Sequence, residues 1–317
     1  MNIKEGDLLE KMVLSAEIDA LLRKFVEQSS FSKNGAVITD LDGTAVHEDK
    51  GRIYIPKPVQ YALKELYELG RPLILNSIRF PLSVLRTFGR EWYSISNVPI
   101  PTVSLNGSQI GFVTKSEANE MSFEEVDSFP LTSEEIDAVF VVVNDLLEKG
   151  VKNILVFYYP RDWRIGEVIW TPSPENILHV KEKYRSASSV TAVEFGKLRE
   201  QLDAEEICMI FLLIDIAKDQ LMSYQHTKRS NFFTHKGVDK LSGAKEISNK
   251  LGIDLTNSLA AGDTEMDKFL SGAGLAIHVG NIELQFAGLY GTIKIQNSYE
   301  LGELLFRTAE ILREHTQ

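Results

Sequence analysis

Short apolar runs, separated by stretches with helical spacing, constrain this chain more than any other feature. They read Ala36–Thr39 (AVIT), Pro72–Leu75 (PLIL), Thr102–Leu105 (TVSL), Ser258–Ala261 (SLAA), Leu275–Val279 (LAIHV) and Thr292–Ile295 (TIKI). Runs this short, with little polar alternation, suit strands covered on both faces. Between the first two, Val59, Ala62, Leu66 and Leu69 share one face of Pro58–Leu69. Pro58 stands at the start of that stretch and Gly70 just past its end, as in a helix. Pro81–Phe88, Gly237–Leu251, a stretch after Asp263 and Tyr299–Arg313 also read as helices. Strands alternating with helices in this order predict a doubly wound parallel sheet with helices on both faces.

The texture changes between about Gly111 and Arg229. There Ser133–Lys149 reads as a helix, Asn153–Tyr159 as a strand, and the stretch around Gly166 as a hairpin leading into Val168–Trp170. Helix Glu175–Tyr184 and strands Val190–Glu194 and Ile207–Asp215 complete a separate α+β unit inserted into the first. The expected organisation is a helical N-terminal extension (residues 1–34), a core domain (35–110 and 230–317) and an inserted cap (111–229). In the extension, Leu8, Leu9, Met12, Val13, Ile18, Leu21, Leu22, Phe25 and Val26 recur at helical spacing, which predicts one or two helices docked on the main body.

Composition narrows the function. At 317 residues and 44% hydrophobic, the chain has material for a large core and a smaller one. Lys+Arg 34 against Asp+Glu 45 gives a formal net charge of −11, which argues against a nucleic-acid partner because phosphate backbones demand a positive footprint. A phosphorylated small molecule needs only a local positive cluster. The single cysteine, Cys208, excludes an intrachain disulfide framework and a cysteine-based zinc cage; it reads as an inert core residue. The opening MNIKEGDLLEKM lacks the flanks of a signal peptide, and runs such as Met209–Ile214 fall far short of the ~20 residues of a membrane span. The expectation is a cytoplasmic protein with no membrane partner.

In open parallel sheets, ligands bind beyond the carboxyl ends of the strands. That rule selects Asp40-Leu41-Asp42-Gly43-Thr44, Asn76-Ser77-Ile78-Arg79, His235-Lys236 before the helix at Gly237, and Gly262-Asp263-Thr264-Glu265-Met266-Asp267. Acids gathered so closely repel one another unless a divalent cation lies among them, and hard carboxylate oxygens suit Mg²⁺. A lysine and a hydroxyl would meet an anionic substrate group. The chemistry this implies is phosphoryl transfer. Of Asp40 and Asp42, one carboxylate attacks phosphorus to form an aspartyl phosphate; the other protonates the leaving oxygen and then activates water. Gly43 permits the sharp turn between strand and site.

Other motifs fail on spacing. An EF-hand loop from Asp40 would place Ala45 and Gly51 where Gly and Glu are needed. Gly272-Ala273-Gly274 lacks the third glycine of a dinucleotide fingerprint, and there is no phosphate-binding Gly-x-x-x-x-Gly-Lys-Ser/Thr loop.

The four strand-end segments together resemble the haloacid dehalogenase-like (HAD) phosphatases, and the order of core and insert resembles the Cof/sucrose-phosphatase branch with its type IIB cap. The likeness covers Gly35 to about Asn106 and Phe233 to about Glu300. It implies an α/β fold: a doubly wound, Rossmann-like parallel-sheet core with an inserted α+β cap domain. It also implies a Mg²⁺-dependent phosphatase of a small phosphorylated metabolite, with sugar phosphates among the candidates. Asp40 is then the nucleophile and Asp42 the general acid/base, whose backbone carbonyl also ligates the metal. Asp263 is a metal ligand, and Asp267 is a ligand through water or a support for Asp263. Lys236 stabilises the phosphoaspartate. Ser77 binds phosphate, with Gly43, Asn76, Arg79 and Asn281 of the Gly280-Asn281 step lining the phosphate site. Two positions depart from the pattern: Ile78 replaces the usual glycine of Thr/Ser-Gly-Arg, and Met266 replaces the usual asparagine before the last aspartate.

A phosphotransferase or mutase using the same phosphoaspartate, and a non-catalytic phosphate-binding module, are the alternative readings. In the cap, Arg161-Asp162-Trp163-Arg164 near Trp170 and the run His179, Lys181, Lys183, Arg185 are candidate readers of the substrate's other end. A solvated helix face with buried aromatics explains the same residues.

Overall fold

The computed structural model describes residues 15–151, 153–214 and 232–316. The first half of the expected N-terminal helices and the end of the expected strand at Asp215 lie outside the described residues. Among those described, no helix is long and apolar enough to cross a membrane.

The chain begins with helices α1 (Ala16–Gln28) and α2 (Phe31–Asn34), then strand β1 (Val37–Thr39) and a hairpin of β2 (His47–Asp49) and β3 (Arg52–Tyr54). Helix α3 (Lys57–Glu68), strand β4 (Leu73–Asn76), helices α4 (Pro81–Thr87) and α5 (Gly89–Ser96), and strands β5 (Ile100–Ser104), β6 (Gln109–Lys115) and β7 (Met121–Ser128) follow. The insert holds α6 (Ser133–Glu148), β8 (Ile154–Pro160), β9 (Val168–Trp170), α7 (Ile177–Lys183), β10 (Ser189–Thr191), α8 (Phe195–Asp203), β11 (Ile207–Ile214) and β12 (Phe232–Phe233). The last part carries α9 (Lys240–Leu251), β13 (Leu259–Gly262), β14 (Leu275–Val279), β15 (Gly291–Ile295) and α10 (Ser298–Thr316).

These elements form an α/β core with an eight-stranded, Rossmann-like sheet in the order β15-β14-β13-β1-β4-β5-β6-β7, and a smaller cap with a five-stranded sheet in the order β10-β9-β8-β11-β12. Parallel pairing joins β1 to β13, β13 to β14, β14 to β15 and β4 to β5. The large sheet is mixed rather than wholly parallel, because β6 and β7 add to β5 as antiparallel strands. The tight Leu105–Gly107 turn returns the chain directly alongside β5, with no helix to cross over. The chain leaves β1 toward β4 on one side and comes back to β13 on the other. The switch point of the topology therefore lies between β1 and β13, where open α/β sheets bind ligands.

Two compact units divide the chain. One comprises the residues through Ile74, Ser94–Asn97 and Ser248 onward; the other comprises Leu75–Tyr93 and Val98–Ile247. The second unit thus takes in α4, β5, β6, β7 and most of α9 together with the elements of the insert. Within the first unit, Leu22, Phe25 and Val26 of α1 are fully buried. Asp19 of α1 accepts from Arg307 of α10 at 2.6 Å and from Arg23 at 2.9 Å, and Arg23 reaches Glu314 at 2.7 Å. The described part of the N-terminal stretch is thus docked by an apolar face and an ion-pair network. The helix expected after Asp263 is reduced to a 3₁₀ turn at Lys268–Gly272. Residues 263–267 are spent on a side-chain-locked turn instead, which leaves too little chain before β14.

In the second unit, β8 explains its unbroken apolar sequence. Ile154, Val156 and Tyr158 enter one cluster with Ile136, Val139, Val143, Leu198 and Leu202 from α6 and α8. Leu155, Phe157 and Tyr159 enter another with Val180, Tyr184, Phe80 and Leu105. The strand's period of two serves both faces, so neither can be polar.

Candidate active site

Asp40 follows β1 and Asp263 follows β13, so the pairing of those strands sets their separation. The register Val37↔Leu259, Ile38↔Ala260, Thr39↔Ala261 brings both strand ends level, and the Asp40 N–H donates to Ala261 O at 2.9 Å. Residues 41–45 then form a tight loop, extended at Asp42 (ψ 127°) and closed by the Val46 N–H on Leu41 O at 3.0 Å. At its centre Gly43 has φ +78°, and a Cβ there would lie 2.1 Å from Asp263 Oδ2. Only glycine permits both the backbone and the approach. Thr44, fully buried, donates its hydroxyl to Asp263 Oδ1 at 3.1 Å.

The second acidic segment is locked just as tightly. Asp267 is fully buried, and its Oδ2 accepts the N–H groups of Asp263 and Thr264, each at 2.9 Å. A Cβ on Gly262 would lie 2.6 Å from the Asp267 Cβ, so a side chain at 262 would displace that aspartate. One oxygen of Asp267 thus supports Asp263.

Asp40, Asp263 and Asp267 are all buried, and one carboxylate oxygen from each lies within 4.8 Å of the others. Three carboxylates this close in a low-dielectric site repel one another unless a positive charge lies among them. The set is oxygen-only and compact, which suits a hard divalent cation and not a thiophilic metal. The residues present fit such an ion. Asp42, half-buried, is outside this group of three carboxylates, and Glu265 is exposed.

The other expected residues are distributed as follows. Asn76 is fully buried and donates from Nδ2 to Lys240 O at 2.9 Å. Ser77, also fully buried, accepts the Arg79 N–H on its Oγ at 3.1 Å. Arg79 donates to Ser83 Oγ at 3.2 Å and lies 5.2 Å over the Phe88 ring, on α4 and its end. Asn281 is exposed. Lys236 is exposed too, and its N–H donates to Glu135 Oε1 at 2.8 Å; His235 Nδ1 lies 3.0 Å from Glu135 Oε2. The same Oε2 accepts the Thr132 N–H and closes the capping box of α6, so His235-Lys236 is held at a helix start. Burial pushes the Glu135 carboxyl up, but the Thr132 and Lys236 amides and His235 outweigh it and leave the pKa below the ordinary value.

Two residues escaped the sequence reading. Thr44 belongs to the first motif, but its role depends on the loop closed by Val46 on Leu41. Lys240 is only 2% exposed, and lysine is rarely buried without a task. Its position in the first turn of α9, four residues after Lys236, was the available signal. In the cap, Trp170 is a core residue that donates to Val193 O at 2.8 Å, and Arg161 is tied to Glu125 and Glu206, each at 2.8 Å.

The sequence pattern of the haloacid dehalogenase-like hydrolases matches residues 37–285. A phosphoglycolate phosphatase from Methanobrevibacter smithii is 47% identical over 51 residues, which are 16% of this chain and 22% of that protein. The chain thus matches about a fifth of the length of that curated relative. Among solved structures, a phosphatase of the haloalkanoate enzyme superfamily from Bacteroides thetaiotaomicron superposes with a TM-score of 0.61 at 13% identity, covering 88% of this chain and 96% of that one. A subclass IIB sugar phosphatase of the same superfamily gives 0.58 at 16% identity, covering 89% and 99%. At such identities the likeness is one of fold.

Proposed function

Since this chain belongs to the haloacid dehalogenase-like hydrolase family, we propose that it is a Mg²⁺-dependent phosphatase that hydrolyses a small phosphorylated metabolite through an aspartyl-phosphate intermediate. The buried cluster of Asp40, Asp263 and Asp267 carries the reading.

A carboxylate oxygen of Asp40 attacks phosphorus, and the bond from phosphorus to the organic oxygen breaks. Asp42 gives that oxygen its proton, so the alcohol leaves neutral. Asp42, now ionised, takes a proton from water as the water oxygen attacks the phosphoaspartate. The Asp40–phosphorus link breaks, phosphate leaves and both acids return to their starting forms. A cation held by the Asp40 and Asp263 carboxylates and the Asp42 backbone carbonyl, with Asp267 bound directly or through water, would neutralise charge on the transferring group.

Ser77, Gly43, Asn76 and Asn281 are the proposed phosphate-site residues. For the lysine that faces the transferring group, burial favours Lys240 over Lys236, whose backbone serves the α6 cap. Arg79 is better used to fix its own loop than to touch substrate, given its place against Ser83 and Phe88.

The proposed substrates are small organic phosphates, bracketed by the sugar phosphatase and the phosphoglycolate phosphatase that the chain resembles. The test is phosphate release from a panel that includes phosphoglycolate and hexose phosphates, with Mg²⁺ and with excess chelator. Release that stops on chelation and in Asp40→Asn supports the reading; release that persists in either rejects it.

A further inference from the structure

Ile78 stands where the resembled family has glycine, and its side chain has a defined destination. The loop around it is fixed through its backbone. The Ser77 N–H donates to Val103 O at 2.9 Å, the Asn106 N–H to Ser77 O at 3.4 Å, and the Leu105 N–H to Arg79 O at 3.2 Å. Arg79 turns toward α4. Ile78 packs instead, half-buried, on the apolar cluster formed by one face of the five-stranded sheet: Leu155, Phe157 and Tyr159 of β8, with Phe80 and Leu105.

The contact continues on either side of Ile78. The Phe80 and Tyr159 rings lie 5.5 Å apart. The Tyr159 hydroxyl donates to the buried Glu167 at 2.7 Å, which holds that ring in place. A Cβ on Gly166 would come within 2.9 Å of Leu82 Cδ2 and 3.4 Å of Phe80 Cε2, so the turn before β9 lies directly on the start of α4. The segment that carries Ser77 therefore meets the cap sheet through Phe80 and Leu82, and Ile78 packs against the same apolar cluster.

We infer that Ile78 is a positioning residue: by anchoring the Ser77 loop to the apolar face of the cap sheet, it makes the placement of the Ser77 hydroxyl depend on that sheet being seated. The inference rests on Ser77 being the phosphate-binding hydroxyl. A glycine at 78 would have no side chain to make the anchor and would widen the conformations open to the loop; a β-branched residue restricts them and fills the contact. Phosphate binding and seating of the sheet then favour each other, since both stabilise one arrangement of the loop.

The test compares wild type, Ile78→Gly and Ile78→Val by amide hydrogen exchange and by steady-state phosphate release. In Ile78→Gly, exchange rises in residues 77–83 and also in 154–160. KM rises about tenfold while kcat changes by less than about threefold, because contacts to the phosphate are weakened alike in ground and transition states. Ile78→Val restores both. Unchanged exchange in the two segments of Ile78→Gly, or a KM equal to wild type, overturns the inference. A wild-type protein that releases no phosphate from any substrate would instead reject the phosphatase reading, and the exchange data would still decide whether Ile78 anchors the loop.

Discussion

The acid cluster at the ends of β1 and β13 and the five-stranded cap sheet are specified in different ways. In the cluster, single atoms decide residue identity: a methyl group at Gly43 or Gly262 would occupy the place of an aspartate. In the cap sheet, β8 is sandwiched between two apolar clusters, and what matters is volume and the alternation of sides. Chemistry is concentrated where the geometry leaves least room for a larger side chain, and apolar packing holds the cap sheet together. Substitutions of equal size should therefore have unequal consequences in the two regions.

The largest expected effect is Asp40→Asn, which should lower turnover about 10⁴-fold or more while thermal unfolding stays close to wild type. Rate assays and a melting curve on one preparation check both halves. Next comes Gly43→Ala, which combines a left-handed backbone with a collision at Asp263; phosphate release should fall about 10²-fold. If activity survived there, the contrast between the regions would lose its sharpest case. Lys240→Ala should lower kcat/KM well below that of Lys236→Ala, and the reverse order would return the role to Lys236.

In the cap, Val156→Ala should cost about 1–3 kcal/mol of stability by leaving a cavity, with little change in kcat for the folded enzyme. The smallest effect is a pH dependence. Burial raises the pKa of Glu167, opposed only in part by the Tyr159 and Ser186 hydroxyls. A carboxyl whose folded pKa lies above its unfolded value contributes stability that is full at low pH and is lost as pH rises through the folded pKa. Glu167→Gln should therefore flatten the decline in melting temperature on the alkaline side of the usual carboxylate range, and equal slopes in the two proteins would contradict this.

The same contrast explains how much was legible beforehand. Strands β9 and β14 match their sequence readings residue for residue, and α3, α6 and β8 within a residue or so, because their apolar periods are unambiguous. Strand β7 escaped notice because Met121–Ser128 carries Glu124, Glu125 and Asp127, as an edge strand can. Helix α8 escaped because it buries only Leu198 and Leu202. At the site, Asp40, Asp263 and Asp267 were readable from strand-end position. Thr44 was not, since its bond to Asp263 exists only once the 41–45 loop closes. The four-residue spacing of Lys236 and Lys240 marks both as candidates, but the burial that separates them is not encoded in that spacing.

The most direct test is a calorimetric titration of Mg²⁺ into metal-stripped wild-type protein and into Asp263→Asn. Three carboxylates converging on one ion predict a single binding site in the wild type and about a tenfold or greater loss of affinity in the variant. A wild type that takes up no Mg²⁺, or a variant that binds it equally well, would contradict the shared-cation site on which the proposed phosphatase chemistry depends.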